Sequence, residues 1–193
     1  MEDKIKLFSE AFGDSKDTAR DFFFCDDVIT VTEYVGKWLA AMASLVPIYA
    51  ENSMCCSLEQ MAVLRRNNRG YYIYGVCVDK KYRGMGLFRS VMIKAEEDAK
   101  RRGADFVCLI PADEGLADTY RRMGYEIEVQ PEDDDFQIRK KIFLESDSFR
   151  KFARSSENCD VKERMYGLMK VLNKNLFSPE DREFAFGDSM GDI

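Results

Sequence analysis

Val78-Asp79-Lys80-Lys81-Tyr82-Arg83-Gly84-Met85-Gly86-Leu87-Phe88 is the stretch that decides the fold. A largely apolar run, Tyr72 to Val78, enters it and reads as the end of a strand over 71–79. A helical pattern leaves it at once, over about 86–102. Phe88, Val91, Met92, Ala95 and Ala99 recur at helical spacing there, and Gly103 is a good stop. Between the two lies a short basic loop with two glycines. A junction of this kind offers an anion site, because loop amides and the first amides of the helix point outward unpaired and the helix dipole adds positive character. Gly84 and Gly86 let the backbone approach a ligand with no Cβ in the way. Lys80, Lys81 and Arg83 add positive charge, and Arg83 brings a bidentate fork. Two common phosphate loops are excluded by spacing. No Gly-Lys-Ser/Thr follows, and the third glycine of a dinucleotide fingerprint would fall on Arg89.

A second segment lies one helix and one strand further on. Asp105 to Ile110 is a buried-type strand ended by Pro111, and residues 114–123 form a short helix ending at Gly124. Within it stands Leu116-Ala117-Asp118-Thr119-Tyr120-Arg121-Arg122-Met123-Gly124-Tyr125. Strand, helix and strand joined by a right-handed crossover make parallel neighbours of 71–79 and 105–110.

The segment from about Tyr71 to Tyr125 resembles the acetyl-CoA-binding core of the GNAT-type N-acetyltransferases. That family's loop reads Gln/Arg-x-x-Gly-x-Gly/Ala, and here it stands as Lys81-Tyr82-Arg83-Gly84-Met85-Gly86. Lys81 departs from the preferred Gln or Arg, which loses planar hydrogen bonding and keeps a cation. Tyr120 to Tyr125 is similar to the family's second signature, Tyr-x-x-x-Gly-Phe/Tyr at a helix end. Both motifs occur in the right order and at the right separation. The resemblance implies a mixed α/β (α+β) fold, with a splayed central sheet and flanking helices. It implies acetyl-CoA as co-substrate, with its pantetheine arm in the gap between the two parallel strands. Val76, Cys77 and Val78 would offer backbone partners there, and an amide near Cys77 or Val78 would polarise the thioester carbonyl. Arg83, Gly84, Met85, Gly86, Leu87 and Phe88 would hold the phosphates. Tyr120 would be the general acid, since a phenol with a pKa of about 10 stays protonated at neutral pH. Leu116, Tyr120 and Met123 also share a helix face, so a plain core role for Tyr120 stands beside the catalytic one.

Composition sets the surroundings. The 193 residues suffice for one substantial core. Apolar residues make up 46% and charged residues 33%, a globular balance. The net charge of -6 argues against nucleic acid or an anionic membrane as partner and suits a cationic amine, polyamine or aminoglycoside acceptor. Histidine is absent, which removes the commonest general base and the Ser–His and Cys–His dyads. Cys25, Cys55, Cys56, Cys77, Cys108 and Cys159 form no Cys-x-x-Cys pair, so no metal site is expected. The charged start of the sequence and the lack of a long apolar run point to a reduced cytoplasm.

The remaining chain reads as support. Helices are expected at 3–12, with Ile5, Phe8 and Phe12 on one face, and at 16–24, with Gly13-Asp14-Ser15 between. Val28 to Thr32, the turn at Gly36 and Trp38 to Ala50 are hairpin-like, and Pro47 suggests a bulge or edge. Residues 58–62 are ambiguous. Tyr125 to Val129 and Phe136 to Phe143 read as strands on either side of the acidic turn Pro131-Glu132-Asp133-Asp134-Asp135. The GNAT-like unit is expected over 1–143. A helical extension over 144–193 would pack on it through Phe149, Phe152, Met165, Leu168 and Leu172, completing an acceptor pocket or a dimer interface. Glu51 and Glu59 lie near the expected acceptor groove, whereas Asp113 and Glu114 stand where a helix cap belongs. Tyr71, Tyr72 and Tyr74 form an aromatic cluster on the central strand, which either lines the acceptor site with one face or is ordinary strand composition. The leading expectation is acetyl transfer from acetyl-CoA to a small-molecule or peptide amine by direct attack in a ternary complex. The alternative is a non-catalytic acyl-CoA-binding or sensor module of the same fold.

Overall fold

The structure, a computed structural model, describes residues 1–52, 68–130, 140–155, 166–173 and 184–186. It opens with two helices, α1 (Glu2–Phe12) and α2 (Lys16–Phe23). Gly13 ends α1 in the left-handed conformation at φ 78° and returns its amide to the Ser9 carbonyl. The Ser15 hydroxyl caps α2 by accepting from the Thr18 amide at 3.0 Å.

A hairpin follows, β1 (Ile29–Val35) and β2 (Trp38–Asn52). β2 is long enough to change partner along one edge. It pairs with β1 as far as Leu45, and from Ile48 onward with β6 (Lys140–Leu144). Pro47 sits in the changeover, where no ladder partner on that edge requires its missing N–H. The expected bulge or edge at Pro47 is therefore corrected: β2 is an interior strand that carries its proline between two neighbours.

β3 (Asn68–Val78) lies along the other edge of β2, antiparallel. A 3-10 turn at Lys80–Tyr82 leads into α3 (Leu87–Arg101). Then come β4 (Phe106–Leu109), α4 (Glu114–Arg121) and β5 (Ile127–Gln130). Past β6 the chain forms α5 (Asp147–Ser155), β7 (Gly167–Val171) and β8 (Phe184–Phe186). The described strands form one eight-stranded sheet in the order β1-β2-β3-β4-β7-β5-β8-β6, with β6 returning to β2. β3–β4, β5–β8 and β6–β8 are parallel, and the other pairs are antiparallel.

The sheet separates two cores, and strand alternation feeds both. Tyr72, Tyr74, Phe106 and Cys108 join Phe8 of α1, Phe22 of α2 and Phe149 and Phe152 of α5 on one face. Ile73, Val107 and Leu109 join Val91, Met92, Ala95 and Ala99 of α3 and Ala117 and Tyr120 of α4 on the other.

One sequence expectation changes here. The C-terminal segment is not helical throughout, because Leu168 and Met169 lie in β7 between β4 and β5. Leu168 and Leu172 are spaced as on a helix. The open edge of β4 overrides that spacing, and β7 buries Leu168 on one face and Met169 on the other. β8 stands between β5 and β6, which both read as strands in the sequence. Residues 58–62, the acidic turn 131–135 and Met165 lie outside the described residues.

Candidate functional site

The site begins where β3 parts from β4. Their parallel pairing runs from Gly70 opposite Phe106 to Tyr72 opposite Cys108 and stops, although β3 continues to Val78. Beyond Tyr72, β3 pairs among the described strands with β2 alone, through pairs such as Met42 with Cys77 and Ala41 with Val78. A bulge marks the separation: Met42 faces Cys77 and Ser44 faces Tyr74, so Gly75 and Val76 oppose Ala43 alone. Gly75 takes φ 63°, and a Cβ on it would come within 2.7 Å of the Phe8 ring. Only glycine fits both the left-handed backbone and the ring above it. Val76 and Val78 are half-buried and Cys77 is 7% exposed, so all three predicted strand residues lie at this opening.

The loop at the end of β3 is held from within. The Asp79 amide donates to the Ala40 carbonyl at 2.8 Å. The Asp79 carboxylate accepts from the Lys81 amide at 2.8 Å, and its carbonyl accepts from the Tyr82 amide at 2.9 Å. After that turn, Gly84 and Gly86 stand at φ 79° and 76°, with open space where a Cβ would be. Backbone conformation, not crowding, requires glycine at both. The amides of Gly84 to Phe88 make no hydrogen bond within the described residues. Arg83, Gly84, Met85 and Gly86 are exposed, while Leu87 and Phe88 are half-buried under the first turn of α3. A cavity of about 280 Å³ lies beside the loop. Val78, Asp79, Lys80, Lys81 and Arg83 line it from one side, and Leu7, Glu10 and Ala11 of α1 from the other. The α1 residues were not legible as site residues, because their only signal is amphipathic helix spacing.

Tyr120 sits on α4 and is 6% exposed. Its ring lies 5.6 Å from that of Phe88 and 5.7 Å from that of Tyr125, centroid to centroid. Tyr120 therefore lies beneath the start of α3, next to the predicted loop residues. Its hydroxyl makes no hydrogen bond with any described residue, and burial alone pushes its pKa well above the ordinary phenol value.

Other polar groups nearby are engaged. Glu33 on β1 accepts from Lys94 Nζ at 2.6 Å and from the Ser90 hydroxyl, and these two bonds hold its carboxyl below the usual range. Asp113 caps α4 by accepting from the Leu116 amide at 2.7 Å, and Glu114 binds Arg121 and Tyr166. Burial pushes the Cys77 thiol up to about 12 and raises Cys108 further, so neither supplies a thiolate at neutral pH. Tyr72 and Tyr74 are buried among Phe8, Phe22 and Phe149, which assigns them to the core. Tyr71 is half-buried against the α3 core. Glu59 lies outside the described residues, and Glu51 is fixed by its backbone pairing with Lys141. No group of three or more metal-ligating side chains occurs among the described residues. No described helix is long and apolar enough to cross a membrane.

With strand, loop, helix and Tyr120 in place, the comparison with known families is direct. The acetyltransferase (GNAT) domain matches residues 54–128. The matched region is similar to that domain, and the match covers less than half of the chain. It contains β3, the loop, α3, β4 and α4. The whole chain has the corresponding fold. It is similar to the GNAT family N-acetyltransferase YhbS of Escherichia coli in complex with CoA, with TM-score 0.54, 12% identity, and 97% of this chain and 84% of that one covered. A candidate N-acetyltransferase from Lactobacillus plantarum matches with TM-score 0.51 and 18% identity over 89% of this chain and 90% of that one. A candidate N-acyltransferase from Enterococcus faecalis gives TM-score 0.51 and 13% identity over 66% of this chain. This chain spans 30% of that larger protein, about the share it spans of the other large GNAT structures it matches. At these identities the likeness is one of fold. No curated protein matches the sequence.

Proposed function

We propose that the chain is an acyl-CoA N-acyltransferase that moves an acetyl group from acetyl-CoA to an amine by direct attack in a ternary complex. The observation that carries this reading is the parting of β3 from β4 after Tyr72, with a phosphate-ready loop at the far end of the same strand. The opening suits an extended arm with amides, which would pair with the edge of β3 beyond β4 as an added strand would. The loop suits a pyrophosphate through the unpaired amides of Gly84 to Phe88 and the cations Lys80, Lys81 and Arg83. A metal is not required for this chemistry.

In the reaction the neutral amine nitrogen attacks the thioester carbonyl carbon. A backbone amide near Cys77 or Val78, just past the bulge, would donate to the developing oxyanion. The C–S bond then breaks, and the proton that leaves the amine nitrogen ends on sulfur. Tyr120 serves that last event. Burial keeps its phenol protonated, so it is a hydrogen-bond donor for the leaving sulfur and a relay that is reprotonated as it gives its proton up. The acceptor is a small amine or a peptide amine, with cationic amines favoured by the net charge of -6.

An acetyl-CoA turnover screen against polyamines, aminoglycosides, amino acids and peptide amines, read by free thiol, tests the proposal. Amine-dependent thiol release is the expected result. CoA binding without turnover on any amine would instead favour a non-catalytic acyl-CoA-binding module. No CoA binding at all would overturn both.

A further inference from the structure

The strand β7 lies outside the matched residues 54–128, yet its flanks grip the segment that carries Tyr120 at both ends. At the start of α4, the Tyr166 hydroxyl donates to Glu114 at 2.6 Å, and Glu114 also accepts from Arg121 at 2.8 Å. At the far end, Lys170 Nζ donates to the Met123 carbonyl at 2.8 Å and to Glu96 of α3 at 2.6 Å. Glu96 in turn accepts from the Tyr125 hydroxyl at 3.0 Å, and the Lys170 ammonium lies 5.5 Å from the centre of the Tyr125 ring.

These contacts converge on Tyr120. The Tyr120 carbonyl accepts from the amides of Met123 at 2.9 Å and Tyr125 at 3.2 Å, so the turn over 120–125 is one hydrogen-bonded unit. Gly124 makes that turn at φ 92°, and a Cβ there would stand 3.4 Å from Lys170 Cε. The Lys170 stem thus lies over the turn while its ammonium closes it. Tyr125 packs edge-on against Tyr120 on the other side. The Lys170 and Glu96 side chains are 26% and 12% exposed, so the ion pair is partly shielded from water, and two further hydrogen bonds and a cation–π contact restrain its geometry.

We infer that Lys170 is a positioning residue: through Glu96, Met123 and Tyr125 it fixes the turn over 120–125 and with it the direction of the Tyr120 hydroxyl. The inference rests on the reading of Tyr120 as the donor to the leaving sulfur. It makes the C-terminal strand part of the transfer apparatus and not only an edge cover for β4.

The test replaces both charges, so that no carboxylate is left buried without its partner. In Lys170→Met with Glu96→Gln, the Gln can still accept from the Tyr125 hydroxyl. Two readouts are taken on the folded double variant: carbon-13 tyrosine spectra, with the Tyr120 signal assigned by its loss in Tyr120→Phe, and acetyl transfer to the best amine of the screen. The Tyr120 signal should shift and broaden. Turnover should fall on the order of tenfold to a hundredfold, the scale of a small misplacement of a reacting group. KM for acetyl-CoA should not change. Added to Tyr120→Phe, the same two substitutions should cause no further loss. Lys170→Arg, which keeps the charge and the donors, should retain most of the rate. If the double variant does not fold, Lys170→Gln carries the same two readouts. An unmoved Tyr120 signal, or a loss that multiplies with that of Tyr120→Phe, would overturn the inference. Should the wild type acetylate no amine, the functional reading fails separately and the Tyr120 signal alone decides the role of Lys170.

Discussion

Gly75 shows how one residue opens the sheet. Its φ of 63° belongs to glycine, and the Phe8 ring fills the space a side chain would take. Gly75→Ala therefore meets backbone strain and a clash together, and should destabilise the fold by roughly 1–3 kcal/mol. Denaturant unfolding with an unchanged slope checks this. Tyr120 makes a contrasting case. Its hydroxyl has no hydrogen-bond partner among the described residues, so Tyr120→Phe removes nothing that supports the fold. Stability should hold, because no hydrogen bond to a described residue is lost. Turnover should fall roughly a hundredfold or more, the scale for a positioned acid or a lost transition-state donor. Loss of stability with turnover intact would return Tyr120 to the core.

At the scale of elements, the Glu33 carboxylate adds a polar tie to the packing of β1 against α3. Glu33 of β1 accepts from Lys94 and Ser90 of α3, and those bonds hold its carboxyl below the usual range. A group with a depressed folded-state pKa contributes stability above its unfolded value of about 4.3 and loses it as pH falls through the lower folded value. Wild type should thus exceed Glu33→Gln in stability at neutral pH, and the gap should close as pH drops below about 4. Melting curves of the two proteins at pH 7 and pH 3 measure it. A gap that persists at pH 3 would mean that packing, not charge, carries the contact. The elements also show what a sequence conveys. β3, the loop, α3, β4 and α4 were legible because each is set by local chemistry: glycines at φ 76° and 81° bound α3, and the Asp113 cap starts α4. β7 was not legible. Leu168 and Leu172 sit four apart, and what makes the segment a strand is the unpaired edge of β4, some sixty residues away in sequence. The same holds for Pro47, whose tolerance depends on where β1 ends and β6 begins along β2.

For the whole molecule, the sheet brings together residues that no local pattern relates. Phe8 from α1 packs over the bulge of β3, Glu10 lines the cavity beside the loop, and Lys170 from β7 closes the turn after α4. The candidate loop and Tyr120 were readable as motifs, and their supports were not, because lone Phe, Glu and Lys side chains on amphipathic elements carry no signal of their own. The account stands on the loop at the end of β3 as the seat of the CoA phosphates. A calorimetric titration with CoA, run on wild type and on folded Gly86→Asp, tests that most directly. The variant puts a strained side chain and a like charge against the pyrophosphate, at a position where space is open and the fold should persist. Saturable CoA binding to wild type, weakened by roughly 1–3 kcal/mol in Gly86→Asp, is the predicted result. Equal affinity in the two proteins, or no binding to wild type, would contradict it.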